Sequence, residues 1–277
     1  MEQDIRPIRI ALLNLMPLKL TTETDLVRVL SNSALQVELD LISLKTHISK
    51  NTPIDHIKEF YIDFEQIKTK KYDGLIITGA PVEQLDFEEV TYWNEITDIL
   101  DWAKNHVTSS LYICRSAQAA LYHYYGIPKY PLDKKMFGAI EHTINEPLNP
   151  LFRGFDDVFY VPHSRHTDVQ RKDIENVPEL TILSESVEAG VYAVIGREGR
   201  EIFVTDHSEY APETLVKEYK RDVAKNLPIE LPLNYYPNNN PANQPVVRWR
   251  SHANLLFSNW LNYFVYQVTP YDIDSIL

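Results

Sequence analysis

Cysteine is all but absent: Cys114 is the one thiol in 277 residues. A single cysteine cannot close an internal disulfide, which excludes a disulfide scaffold and points to a reducing compartment. Basic residues are also scarce, with 27 Lys and Arg against 39 Asp and Glu, a formal net charge of −12 and a pI of about 5.2. Such a surface repels phosphate backbones and anionic headgroups, so neither nucleic acid nor a membrane surface is an expected partner. Long hydrophobic runs are missing. The apolar runs near 10–16 and 111–122 are too short to span a bilayer, and Met1-Glu2-Gln3-Asp4 lacks the basic start of a signal peptide. A cytoplasmic location is expected. Gly74 and Gly79 form neither a GxGxxG nor a P-loop, and the histidines lack metal-ligand spacing. His163-Ser164-Arg165-His166 comes nearest and reads as a structural loop. No metal and no bound cofactor are expected. With no repeat, heptad run or linker, residues 1–277 read as a single domain with a long insertion, large enough to bury its own core.

What is present is an alternation of short apolar strands and amphipathic helices. Residues 8–15 read as a buried strand, 22–32 as a helix capped near Thr21-Thr22, 36–42 as a second strand and 73–79 as a third. A helix is expected over 87–104, a strand over 110–113 and a helix over 115–124. Shorter strands at 158–161 and 191–195 precede a buried strand at 201–205. The Pro- and Asn-rich stretch 228–247 reads as a surface loop, and 249–267 as one closing helix. This order predicts an α/β fold, a parallel sheet with helices on both faces.

Two motifs fall at expected strand ends. Ser110-Leu111-Tyr112-Ile113 runs straight into Cys114, and small residues then open a helix. That layout is a nucleophile elbow, a tight strand-to-helix turn that presents the side chain at the carboxyl edge of the sheet. The helix N-terminus supplies free N–H groups and a positive dipole, which favour a thiolate and can hold an oxyanion. On position alone, a buried small hydrophobe explains a lone cysteine as well. The second motif is Asp206-His207-Ser208-Glu209, after the strand at 201–205. A thiol needs a base, and the base needs a carboxylate to fix its tautomer. His-x-Glu past a neighbouring strand supplies both.

These residues resemble the homoserine O-acyltransferases related to homoserine transsuccinylase. The likeness runs through Asp4-Ile5-Arg6-Pro7, Asn14-Leu15-Met16-Pro17-x-Lys19, Thr78-Gly79-Ala80-Pro81-Val82-Glu83 and Tyr112-Ile113-Cys114. It continues through residues 122–129, Val161-Pro162-His163-Ser164-Arg165, Glu218-Tyr219-Lys220-Arg221-Asp222 and 249–256. The resemblance implies a flavodoxin-like, class I glutamine amidotransferase-like three-layer sandwich with a mostly parallel sheet. It implies Cys114 as the acyl-carrying nucleophile, His207 as general base and Glu209 as its orienter. Lys19 and the backbone N–H of Arg115 would hold the oxyanion, and Lys135, Ser164 and Arg221 the amino-acid substrate. Glu83 falls where the family places glutamate for acetyl-CoA and glycine for succinyl-CoA, and a carboxylate there would repel a succinyl group.

The implied activity is ping-pong transfer of acetyl from acetyl-CoA to the hydroxyl of L-homoserine by a homodimer. The chain departs from the family at Cys114-Arg115-Ser116, where Cys-Trp-Gly is usual, and at Asp206-His207-Ser208-Glu209, where Gly-His-Pro-Glu is usual. It also begins just before the first expected strand, where the family has a leading segment. The substitutions leave L-serine, one methylene shorter, as an alternative acceptor. A glutamine amidotransferase-type hydrolase would use the same fold and the same Cys-His-Glu set. A non-catalytic relic of the fold is the remaining reading, supported by Arg115 and Ser116 alone.

Overall fold

Along the central strands nearly every residue is buried, and successive side chains go to opposite faces. Ile10 and Leu12, Leu111 and Ile113, and Ile202 and Val204 enter one core, while Ala11 and Leu13, Tyr112 and Phe203 enter another. Period-two alternation with both faces covered is what a sheet between two helical layers requires. The computed structural model describes residues 6–46, 52–82 and 84–276. Its strands are β1 Ile8–Leu13, β2 Val37–Ser43, β3 Tyr61–Asp63, β4 Tyr72–Ile77, β5 Val107–Ile113, β6 Tyr130–Ile144, β7 Val158–Asp168, β8 Thr181–Ser186, β9 Gly190–Gly196 and β10 Glu201–Val204. They form one ten-stranded sheet in the order β3-β2-β1-β4-β5-β10-β9-β8-β6-β7. The run from β3 to β10 is parallel, and β9, β8, β6 and β7 extend it antiparallel.

The helices are α1 Lys19–Leu30, α2 Ile54–Phe60, α3 Phe64–Ile67, α4 Trp93–His106, α5 Arg115–Tyr125, α6 Arg171–Glu175, α7 Thr214–Ala224 and α8 Arg250–Asn259. Residues from α1 and α8 pack on one face, and residues from α3, α4, α5 and α6 on the other. The α/β class and the mostly parallel sheet expected from the sequence are both present.

Several boundaries differ from expectation. The first helix begins at Lys19, because Thr22 and Thr24 donate back to the Leu18 and Leu20 carbonyls, at 3.4 and 2.8 Å, rather than capping the helix. The helix expected from residue 87 starts at Trp93. Three-residue turns close over 86–93, and the Phe87 ring stacks 4.7 Å from Tyr122. The closing helix does not stay α-helical. It widens to a π-helix over Trp260–Tyr266, which buries Trp260, Leu261, Phe264 and Val265 together. The Trp260 ring fills the space over Gly74, where a Cβ would lie 3.0 Å from it.

The stretch 228–247 is pinned rather than loose. Leu233 pairs with β6 across Gly138, its N–H donating to the Phe137 carbonyl at 3.0 Å and its carbonyl accepting from Ala139 at 2.8 Å. Gly138 has φ +139°, and a Cβ there would sit 2.2 Å from the Leu233 nitrogen. Gly138→Ala is therefore expected to cost about 2–4 kcal/mol, from backbone strain plus overlap with immobile main chain. Gly126→Ala, at φ +69° with open space around it, is expected to cost only about 1 kcal/mol. Urea midpoints at unchanged slope check the difference, and equal costs would contradict it.

Candidate active site

Cys114 follows β5 and His207 follows β10, and these strands are parallel neighbours with Ile113 opposite Val204. Both side chains thus leave the sheet at its carboxyl edge, where open α/β sheets place their ligands. The Cys114 N–H donates to the Val204 carbonyl at 2.7 Å, which locks the two strand ends together. Cys114 has φ 54° and ψ −116° and directly precedes α5, the strained geometry expected of an elbow. Its thiol is 3 % exposed. The Arg115 N–H opens α5, one of the first-turn amides that a helix leaves without an internal acceptor.

The His207 Nδ1 lies 2.7 Å from Glu209 Oε1, which leaves Nε2 for the thiol, and His207 hydrogen-bonds to Cys114. The imidazole stacks on Tyr210 at 4.3 Å. Burial alone would lower the His207 pKa, but the charges of Cys114 and Glu209 outweigh it and hold the imidazolium well above the ordinary value. The contact with Cys114 and Glu209 therefore favours the protonated imidazole beside the sulfur. Gly79 makes room for it. A Cβ at that position would lie 3.3 Å from both Cys114 Cβ and His207 Cε1.

Two supports hold this machinery from behind. Asp206, fully buried, lies 2.8 Å from Arg165 Nε and 2.7 Å from His163 Nδ1. Burial would raise its pKa, yet Arg165 and His163 hold the carboxyl down at about 2. On the other side, Arg28 Nη2 donates to the Glu209 carbonyl at 2.5 Å, and the buried Asp25 accepts from the Ala211 N–H at 3.4 Å. Helix α1 thereby clamps the segment that carries His207 and Glu209.

The thiol and imidazole open into a chamber of about 410 Å³. One part of its wall is mainly apolar: Met16, Pro17, Ala80, Pro81, Val82 and Leu85. Another is polar and charged, with Lys135 from β6, Ser164 from β7, and Glu218, Arg221 and Asp222 from α7. Lys135 Nζ lies 3.1 Å from Asp222 and 3.6 Å from Glu218. Ser164 donates to Glu218, as does Tyr210 at 3.1 Å. Arg221 is half-exposed at 2.7 Å from Asp222, a contact that raises its pKa. A wall of both signs suits a zwitterion, with the guanidinium for a carboxylate and the carboxylates for an ammonium.

The structure thus gathers Cys114, His207, Lys135, Ser164 and Arg221 around one space, with Glu209 behind His207 and the Arg115 amide beside the sulfur. Lys19, expected here as an oxyanion donor, is not among the residues that line this chamber. It donates to the Asn14 carbonyl, sits 5.2 Å from the Tyr61 ring, and lines a separate cavity of about 170 Å³ with Asn14, Ser43 and Lys45. Its position in the first turn of α1 folds it back over the end of β1. Burial pushes its ammonium down to about 8, partly opposed by Glu23. Glu83 lies outside the described residues. The sequence reading did not assign Glu218, Asp222, Tyr210, His166 or Gly79 to the chamber. The 218, 221, 222 spacing on one helix face was the available signal.

The sequence profile of homoserine O-succinyltransferases matches residues 1–271. The chain belongs to the homoserine O-succinyltransferase family. It is accordingly an acyltransferase. A homoserine O-acetyltransferase of Bacteroides thetaiotaomicron is 68% identical over 275 residues, covering 99% of this chain and 90% of the relative. One from Acetivibrio thermocellus is 59% identical over 276 residues, covering 100% and 90%. Among solved structures, a glutamine amidotransferase from Thermotoga maritima superposes with a TM-score of 0.61 at 14% identity, covering 93% of this chain and 98% of that one. A glutamine amidotransferase from Methylobacillus flagellatus does so with 0.56 at 11% identity, covering 94% and 95%. At that identity the homoserine O-succinyltransferase family member shares their fold, the class I glutamine amidotransferase architecture expected from the sequence, and the likeness carries no more than that.

Proposed function

We propose that the protein transfers an acetyl group from acetyl-CoA to the side-chain hydroxyl of L-homoserine through a thioester on Cys114. The observation that carries this reading is the Cys114–His207–Glu209 set beside a chamber with an apolar wall and a wall bearing charges of both signs. The apolar wall suits a short acyl group, and Arg221 with Glu218 and Asp222 suits an α-amino acid. Names of the relatives favour acetyl over succinyl, as does Glu83 in the sequence. Acetyl-CoA enters as a co-substrate, and no resident cofactor is needed. One reduced thiol suits the cytoplasm, and no helix among the described residues is long and apolar enough to cross a membrane.

The chemistry balances around one proton. The Cys114 thiolate attacks the donor thioester carbonyl, and the Arg115 N–H meets the oxyanion. As the tetrahedral centre collapses, the C–S bond to CoA breaks and the His207 imidazolium gives its proton to the departing thiolate. The acyl-Cys114 so formed is neutral, so the charge that most raised the His207 pKa is gone. Acylation itself thereby turns His207 into a base. It takes the proton of the homoserine hydroxyl, the oxygen attacks the thioester, and the Cys114 thiolate leaves. Glu209 holds the imidazole through both halves.

Steady-state CoA release with acetyl-CoA and succinyl-CoA, each against L-homoserine and L-serine, tests the reading. Acetyl-CoA with homoserine is expected to be the best pair, and homoserine to exceed serine by about 10–200-fold in kcat/KM, the range one methylene allows. Preference for serine would keep the mechanism and change the acceptor. Glutamine hydrolysis without CoA release would overturn the assignment.

A further inference from the structure

The two residues that follow the nucleophile, Arg115 and Ser116, tie the elbow to the chamber's apolar wall through their side chains. Ser116 Oγ donates to the Thr78 carbonyl, immediately before Gly79. Arg115 Nη2 donates to the Leu85 carbonyl at 3.2 Å, and its guanidinium lies 4.0 Å from the Phe87 ring centre. Lys129 Nζ shares both partners, donating to the Leu85 carbonyl and lying 5.2 Å from the Phe87 ring. Arg115 and Ser116 are 3 % and 5 % exposed, so the Ser116 bond is buried, while the Arg115 guanidinium makes a part-buried, charge-assisted bond to the Leu85 carbonyl beside a cation–π contact. Gly79, Ala80, Pro81, Val82, Gln84 and Leu85 all line the chamber. The zwitterion-binding side is built from β6, β7 and α7 instead.

We infer that the side chains of Arg115 and Ser116 are positioning residues for the acyl donor: they staple the loop that follows β4 onto the first turn of α5 and so set the fit of the acyl group beside Cys114. The inference rests on the proposed acyl-CoA reaction and on the apolar wall being its donor side. The acyl carbon must bond to a sulfur that sits between the elbow and Gly79, where a Cβ would lie 3.7 Å from Sγ. A shift of this wall is therefore felt by the donor before it is felt by the acceptor. Neither side chain replaces the Arg115 backbone N–H, which any residue but proline supplies.

Arg115→Met removes the charge and keeps that amide. It is expected to raise KM for acetyl-CoA about tenfold, the effect of losing one charge-assisted hydrogen bond. KM for L-homoserine should stay within about twofold, the pH profile should keep its shape, and the acetyl over succinyl preference should fall. Arg115→Lys should recover part of the loss. Ser116→Ala, which deletes one hydroxyl, should shift the same parameter in the same direction and carries the test if Arg115→Met does not fold. Donor and acceptor KM rising together, or an unchanged donor KM in a wild-type background that turns over, would overturn the staple alone. A wild-type protein that releases no CoA from either thioester would overturn the acyltransfer reading and the staple with it, so the two failures are told apart.

Discussion

Cys114→Ala is expected to abolish turnover, with a loss on the order of 10⁴–10⁶ in kcat, the scale seen when a covalent nucleophile is deleted. The reason lies in the geometry around the sulfur. Cys114 is the sole thiol of the chain, it is held at φ 54° at the mouth of α5, and it faces an imidazole that Glu209 orients. The chamber and its charged wall survive the substitution, so substrates should still bind while no acyl group is carried. Intact-mass measurement after mixing with acetyl-CoA, without acceptor, should give one acetyl on the wild type and none on the variant. An alanine variant that kept near wild-type activity would remove the covalent mechanism altogether. Cys114→Ser is expected to fall nearly as far, since an alkoxide is much harder to form beside an imidazole than a thiolate.

Replacing His207 by asparagine is expected to lower kcat by about 10²–10⁴, the usual worth of a general acid–base. Two separate proton transfers are lost, one to the departing CoA and one from the acceptor hydroxyl. The variant should also change how Cys114 reacts with a small alkylating agent. In the wild type the His207 pKa is raised, so the imidazolium persists through neutral pH and keeps a positive charge against the sulfur. The alkylation rate should then change little between about pH 6 and 8. In the variant that charge is absent, and the rate should fall as pH drops below the ordinary thiol value of about 8.5. Identical pH profiles in the two proteins would mean that His207 and Cys114 are not an ion pair.

The candidate set Cys114, His207 and Glu209 was legible because strand ends are legible. Apolar runs stopping at Cys114 and at Asp206-His207 mark the carboxyl edge of a sheet, and parallel packing brings such edges together. The neighbour relation itself was not, since β10 lies beside β5 only after the intervening strands have folded elsewhere. The long strand β6 was missed because its first half carries Asp133, Lys134 and Lys135, a polar start that hides its buried second half. Helices α2, α3 and α6 are of seven residues or fewer, too short for an amphipathic pattern to stand out. Lys19 illustrates a different limit. Its sequence position fits a catalytic motif, but the direction of a side chain in the first turn of a helix depends on how that helix meets the sheet. The charged wall was half visible, with Lys135, Ser164 and Arg221 expected there from the resemblance and Glu218 and Asp222 given no role. Their convergence with Ser164 and Lys135 is tertiary.

The place of β10 in the sheet has a bearing on how the protein comes into being. On a ribosome, β1 to β5 and the elbow are finished while the edge of β5 still lacks its neighbour, which arrives only with Glu201–Val204. Until then the Cys114 N–H has no Val204 carbonyl to bond, and the sulfur has no imidazole beside it. The nascent chain therefore carries Cys114 without the imidazole that the folded protein places against it. On the proposed mechanism, the reactivity of the sulfur depends on the closing of a long-range contact, a step that high contact order makes slow. A truncated or stalled chain would leave this sulfur unreactive, at the exposed edge of an unfinished sheet.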